Sequence, residues 1–229
     1  MPRSLFTSRN GGVSVAPYES FNLALHVGDD SSRVIKNREL LANQFGYSPN
    51  SFYFMNQVHG ADVAVIDAKS SPDIVPTVDA LFTMTPGKVL VTLIADCIPL
   101  LLRSDRAVAA VHVGRQGLVR GVFESAIEVF QSHGISPREI QAELGPSICS
   151  QCYEVDAEMF RDVTTQIPAT AAEIRPQSTC LNIESGLISK LDQTGVAWKS
   201  SGLCTMHDPG FFSYRRDGVT GRQAGVIVL

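Results

Sequence analysis

A single α+β domain, with mixed β-sheets layered in a sandwich and flanked by helices, is what this 229-residue sequence predicts. Strand-like segments follow one another from Ser51 to Val113 with no helical pattern between them, unlike a regular βαβ repeat. No internal repeat or low-complexity linker divides the chain, so residues 1–229 read as one unit. A hydrophobic fraction of 44% beside 18% charged residues suits a core that needs no staples.

In order, residues 3–8 read as a short strand that runs into the turn-rich Arg9-Asn10-Gly11-Gly12. A loop carrying Ser20-Phe21-Asn22-Leu23 and His26 follows, up to Gly28-Asp29-Asp30. Asp30 or Ser31 caps a helix that Gly46 ends after Phe45. Val34, Leu41 and Phe45 mark its buried stripe, on which Asn37 and Arg38 also fall. Those two either hydrogen-bond neighbouring groups or serve a pocket.

Phe52–Asn56, Ala61–Ile66, Ala80–Thr83, Val89–Ile94 and Val108–Val113 have strand composition, punctuated by Gly60, Pro72, Pro86-Gly87 and Ser104-Asp105. The last two are nearly continuous apolar runs, as in strands covered on both faces. One amphipathic helix is predicted from Gly117 to His133, stopped by Gly134. Ile140–Leu144 is a strand, Asp156 to Thr164 a helix, and Leu181–Gln193 contains another helix weakened by Gly186. Val196–Ser200 and Gln223–Leu229 close the sheets.

A formal net charge of -4 argues against a nucleic-acid partner. The N-terminus lacks an apolar core of signal-peptide length, and the longest apolar run, Val89 to Leu102, is too short for a membrane span and holds Asp96. The expectation is a cytoplasmic protein with no membrane partner. Its five cysteines, an odd and scattered set, do not form a secreted disulfide framework.

Cys97 and His112 stand out inside apolar runs, and His59, in Asn56-Gln-Val-His-Gly60, offers a second imidazole in a similar strand-to-turn setting. Each occurs near a strand end just before a turn residue, Gly60, Pro99 or Gly114. Rigid scaffolds present active groups at such places. Two imidazoles and a thiolate are the ligand count of a catalytic zinc site, although the long intervals between them carry little specificity. If Ala95–Leu102 is a strand, Asp96 and Cys97 point to opposite faces, so Cys97 goes to the metal and Asp96 organises backbone. Cys149-Ser150-Gln151-Cys152 is a CxxC with no second CxxC to complete a site and is read as incidental. The C-terminal run from Thr205 to Arg222 interleaves aromatics with arginines that can stack a planar ligand and hold an anion.

Asn22-Leu23, Asn37-Arg38, Gln57-Val-His-Gly60, Asp79-Ala80, Ala95-Asp-Cys97, Val111-His-Val-Gly114, Gly145-Pro146 with Cys152-Tyr-Glu-Val155, and Ser213-Tyr-Arg-Arg-Asp-Gly218 with Thr220-Gly-Arg222 occur in order along nearly the whole chain. Together they resemble the YfiH-type family, known as laccase-domain or polyphenol oxidase proteins and as purine nucleoside phosphorylases. The resemblance implies a sandwich distantly similar to cysteine-histidine toxin deamidases. It also implies zinc (Zn2+) on His59, Cys97 and His112, and phosphorolysis of adenosine, inosine and methylthioadenosine with some adenosine deamination. Substrate contacts are then expected from Asn22, Arg38, Gln57 and Arg215, with purine nucleosides and phosphate as partners. One departure is plain: the family's usual His-Ala-Gly-Trp-Arg-Gly reads His112-Val-Gly-Arg115-Gln116-Gly117 here.

Three other readings stay open. A copper phenol oxidase can use Cys and two His with Met55 or Met206 as axial ligand, but the chain's five histidines include no His-x-His pair. A metal-free hydrolase can use Cys97 as nucleophile with His112 or His59 as base. A nucleoside-binding protein without turnover is the third.

Overall fold

Two β-sheets lie face to face, with helices on both outer sides. A computed structural model describes residues 2–172, 174 and 178–229. The chain begins with β1 (Arg3–Phe6), α1 (Ser31–Phe45), β2 (Phe52–Tyr53), β3 (Val63–Val65) and β4 (Ala80–Thr83). β5 (Val89–Ile94), β6 (Ile98–Arg103) and β7 (Val108–Val113) follow directly. Next come α2 (Arg115–Arg120), α3 (Val122–Ser132), β8 (Gln141–Leu144) and α4 (Ala157–Gln166). The last elements are β9 (Ala171–Ala172), β10 (Cys180–Leu181), α5 (Ile183–Thr194), β11 (Ala197–Ser200), α6 (Tyr214–Asp217) and β12 (Gln223–Val228).

One sheet has the order β1-β12-β5-β2 and the other β11-β8-β6-β7-β4-β3, each mixing parallel and antiparallel pairs, while β9 and β10 form a separate ribbon. Alternation along the strands builds the layers. Val89, Val91 and Leu93 pack toward Leu41, Ala42 and Phe45 of α1, whereas Leu90 joins Leu81, Leu101, Val108 and Ala110 between the sheets. On the far side Phe82, Leu100 and Val111 meet Phe123, Ile127 and Phe130 of α3, with Phe82 and Phe130 edge to face at 4.9 Å. β5 and β7 are buried at every position, as their continuous apolar composition predicts.

The helix caps act as expected in α1. Asp30 accepts the Ser32 amide and Gly46 closes the helix in the left-handed conformation. Asn37 is buried and hydrogen-bonds Val13, Ser14, Ser20 and Asn22, fastening the 12–22 loop to the helix.

Three expectations need correction. The strand considered over Ala95–Leu102 starts only at Ile98, because Ala95-Asp96-Cys97 bends, with Asp96 at φ 95°. The helix expected from Gly117 to His133 is two, α2 and α3, divided where Gly121 takes φ 86°. β2 and β3 are shorter than their composition suggests, since Asn56 pairs only in an isolated bridge with Thr77. Among the described residues, no helix is long and apolar enough to cross a membrane.

Candidate metal centre and its cavity

The connectivity of the two sheets brings His59, Cys97 and His112 together. β5 and β6 belong to different sheets, so the Ala95–Cys97 bend is where the chain crosses from one to the other. The segment between β2 and β3 makes a second crossing and carries His59. His112 lies opposite Pro99 on the neighbouring strand and shares the inter-sheet parity of Val108 and Ala110. The ligand-type atoms of the three side chains all lie within 4.8 Å of one another, with Cys97 Sγ 3.8 Å from His59 Nε2.

Asp79, at the foot of β4, organises this cluster. Its buried carboxylate accepts the amide protons of Val58, His59 and Gly60 at 3.1, 3.0 and 2.6 Å. It thereby helps hold His59 at φ 57°, a left-handed conformation uncommon for a non-glycine residue. The same carboxylate meets His112 Nδ1, which assigns the proton to that nitrogen and turns Nε2 toward the cluster. Asp79 was not singled out from sequence beyond its place in a motif; its signal is an acidic residue entering an otherwise apolar strand.

The electrostatics of the metal-free site follow from this packing. Burial pushes the Cys97 thiol up, but the charge of His112 and bonds to both imidazoles outweigh it and bring the thiol down to about 6. For His112, burial opposes the charged form, while the Cys97 thiolate and Asp79 raise it to about 9. Asp79 itself is pushed up by burial, yet held below the usual carboxylate range by His112 and the Gly60 amide.

Two imidazoles and a thiolate with one side open fit a four-coordinate metal with a free position. Gly114 makes room for them: a Cβ there would stand 2.8 Å from His59 Cδ2 and 3.0 Å from Cys97 Sγ. A cavity of about 450 Å³ opens in front of the cluster, walled by Gln57, Asp96, Tyr153, Tyr214, Arg215, Arg222 and His26 among others. Two guanidinium groups and two phenol rings thus face the three ligands.

Residues 3–229 match the family described as multi-copper polyphenol oxidoreductase laccase. The chain belongs to this family, the YfiH-type laccase-domain proteins. It is 44% identical over 227 residues to a purine nucleoside phosphorylase of Streptomyces coelicolor, spanning 98% of this chain and 94% of that protein. A purine nucleoside phosphorylase of Mycobacterium tuberculosis is 40% identical over 228 residues, 98% of this chain and 91% of that protein. The crystal structure of YfiH from Bacillus licheniformis is similar with a TM-score of 0.91 at 28% identity, covering 100% of this chain and 92% of that one. A Neisseria meningitidis protein gives 0.88 at 34% identity, covering 100% and 94%.

Within this YfiH-type fold, the four residues expected to contact substrate separate. Arg215 stands in the cavity wall; its amide donates to Asp96 Oδ2, Nη1 donates to the Glu154 carbonyl, and the guanidinium lies 5.0 Å from the Tyr153 ring centre. Gln57 also lines the wall, but its amide is committed at both ends to the Leu93 backbone. Asn22 is fully buried, and its amide bonds Ala24, Asp29 and the Arg222 N–H. Arg38 is not among the lining residues: Nε donates to the Leu23 carbonyl and the guanidinium stacks 3.6 Å over Phe54, while its charge reaches His26 in the wall.

Arg222 and His26 were not named as site residues, although the Thr220-Gly-Arg222 motif and the His26 loop were visible. Burial, then the charges of Arg222 and Arg38, keep His26 below its ordinary value. Asp96 does organise backbone, accepting Thr205 Oγ1–H at 2.6 Å and the Arg215 amide at 2.7 Å. It does so from a bend, so the strand-face argument separating it from Cys97 does not apply. Arg115, the departure from the family pattern, begins α2 and places its charge beside the Tyr153 hydroxyl at the cavity. Met55 is buried in the inter-sheet core. The CxxC pair is not isolated either, because Cys204 and His207 join it.

Proposed function

We propose that the chain is a purine nucleoside phosphorylase that carries zinc on His59, Cys97 and His112. Its proposed substrates are adenosine, inosine and methylthioadenosine, with adenosine deamination as a second reaction. Kinship to proteins named purine nucleoside phosphorylase supports this. The observation that carries it is the shared cavity, in which three soft ligands face two arginines and two tyrosines. Its volume is ordinary for a small-molecule site of about 300–1,000 Å³.

Zinc held by His59, Cys97 and His112 would supply Lewis acidity and a lowered water pKa, the chemistry suited to deamination of adenosine. The chain's own residues do the rest. Arg215 and Arg222 bind the phosphate as charge-assisted donors and orient it toward the anomeric carbon. Tyr153 and Tyr214 present ring faces to the purine. His26, kept neutral, offers a lone pair to a ribose hydroxyl. Asp79 fixes the tautomer of His112 and the backbone of His59.

The test is chromatographic product analysis with adenosine and inosine, with and without phosphate, on the native protein and Cys97→Ala. Free base that requires both phosphate and Cys97 is the expected result. Absence of both base and deaminated product would sink the reading. The family description and the two-His, one-Cys set also suit a copper oxidase. Elemental analysis after purification without added metal separates zinc from copper.

A further inference from the structure

We propose that Cys149, Cys152, Cys204 and His207 form a second metal site, a closed Cys3His zinc site that staples together two loops bounding the cavity. It shares no residue with the His59–Cys97–His112 set and does not depend on the nucleoside reading. The four ligand-type atoms lie within 4.8 Å of one another. Cys152 Sγ is 4.0 Å from Cys204 Sγ and 3.0 Å from His207 Nε2. In a tetrahedral site with Zn–S bonds of about 2.3 Å, neighbouring sulfurs stand roughly 3.8 Å apart. The three cysteines are free thiols, and the Cys152–Cys204 pair stands at nearly that spacing.

The sequence supplies the ligands as two short knuckles, Cys149-x-x-Cys152 and Cys204-x-x-His207. Each has the two-residue separation of a zinc half-site. Backbone pairing holds the halves together: Ser147 bridges Cys204, with Ser147 N–H to Leu203 O at 3.1 Å and Thr205 N–H to Ser147 O at 3.0 Å. The Cys149 amide donates to Cys204 Sγ at 3.3 Å, a bond that stabilises a thiolate. Three thiolates and an imidazole select zinc over hard cations, and four protein ligands leave no open position, so the role is structural.

What it holds is the cavity wall. Ile148 and Tyr153, on either side of the first knuckle, line the cavity. In the second, Thr205 donates to Asp96 in the bend that carries Cys97, and the Thr205 and Met206 carbonyls accept from Arg216 Nη1.

The full chain, purified reduced and without added metal, is expected to hold two zinc equivalents, and Cys97→Ala one. After stripping, Cys97→Ala should bind one cobalt(II) with tetrahedral d–d bands and the charge-transfer intensity of three thiolates. Cys152→Ser should lower that intensity by a third. His207→Ala changes an exposed ligand and guards against misfolding; it should keep the three-thiolate intensity and weaken cobalt affinity at least about tenfold. The proposal is overturned if reduced Cys97→Ala binds no metal, if its cobalt spectrum is unmoved by Cys152→Ser and His207→Ala, or if protein trapped with a thiol-blocking reagent at lysis carries a disulfide within the cluster.

Discussion

Asp79 Oδ1 lies 2.7 Å from His112 Nδ1, and the same carboxylate collects the amide protons of Val58, His59 and Gly60. One buried side chain therefore sets the tautomer of His112 and the backbone conformation of His59. Asp79→Asn replaces an acceptor oxygen with an NH2 group facing donors. Metal affinity at the His59–Cys97–His112 set should fall about 10- to 100-fold. Stability of the metal-free protein should fall by roughly 3–5 kcal/mol, as when a buried pair loses a partner. Chelator competition, read as protection of Cys97 from alkylation, and urea unfolding measure the two effects.

In the metal-free protein Cys97 should react as a thiolate at unusually low pH. Its pKa is depressed from 9.0 to about 6, so the thiolate persists above pH 6 and is lost as pH falls through that value. The His112 proton, raised from 6.5 to about 9, is lost as pH rises through 9. Between those values the pair is thiolate and imidazolium. Iodoacetamide labelling of the Cys97 peptide, followed by mass spectrometry, should be half-maximal near pH 6. His112→Ala should move that midpoint upward, since burial remains and the compensating charge is gone. A midpoint near 9 in the native chain contradicts this account.

Local signals were enough for much of the fold and failed where the decisive contact is distant. The Asp30 cap, the Gly46 stop and the apolar runs of β4, β5 and β7 each declare an element within a few residues. The end of β5 at Ile94 is legible too, but the start of β6 at Ile98 rather than Ala95 is not, because Asp96 takes a positive φ without a glycine to mark it. The Cys149–Cys152 pair reads as incidental because its partners arrive about 50 residues later, through the bridge between Ser147 and Cys204. For the candidate site, Cys97 and His112 were legible as chemistry out of place in apolar runs, and His59 as an imidazole at a strand-to-turn step. For Asn22 and Arg38, polarity in a motif does not reveal the protein groups that the structure shows them bonding, the Arg222 N–H and the Leu23 carbonyl.

Gly186 shows the same limit from the other side. As a residue inside α5 it lowers helix propensity by about 1 kcal/mol. Yet a Cβ there would stand 2.4 Å from Thr170 Cγ2 and 3.0 Å from Leu118 Cδ2, both on buried residues. Overpacking of about 1–3 kcal/mol outweighs the propensity gain. Gly186→Ala should lower stability in urea unfolding by roughly 1–2 kcal/mol.

Arg222 should govern phosphate rather than nucleoside. Its guanidinium lies in the cavity wall, with Nη1 donating to the Thr220 and Gly221 carbonyls. A lost charged hydrogen bond of about 1.5–3 kcal/mol corresponds to a tenfold to hundredfold change. Arg222→Met is expected to raise KM for phosphate by about that factor while leaving KM for inosine within about threefold. Steady-state kinetics with each substrate varied in turn distinguish this from general loss of the site, which would raise both.

Gly114→Ala isolates the space between the ligands. The backbone there, at φ -88° and ψ 174°, is open to any residue, so the substitution adds a methyl without backbone strain. That methyl would stand 2.8 Å from His59 Cδ2 and 3.0 Å from Cys97 Sγ. The His59 side chain is exposed and can swing aside in the metal-free protein, which should therefore lose less than about 1 kcal/mol in urea unfolding. A bound metal needs His59 and Cys97 back in place against the added methyl, so the cost appears on binding. Metal affinity, again read from Cys97 protection, should fall at least about tenfold, as for a change that misorients a ligand. Equal losses in the metal-free and metal-bound proteins would mean that Gly114 serves the packing of β7 and α2, not the ligands.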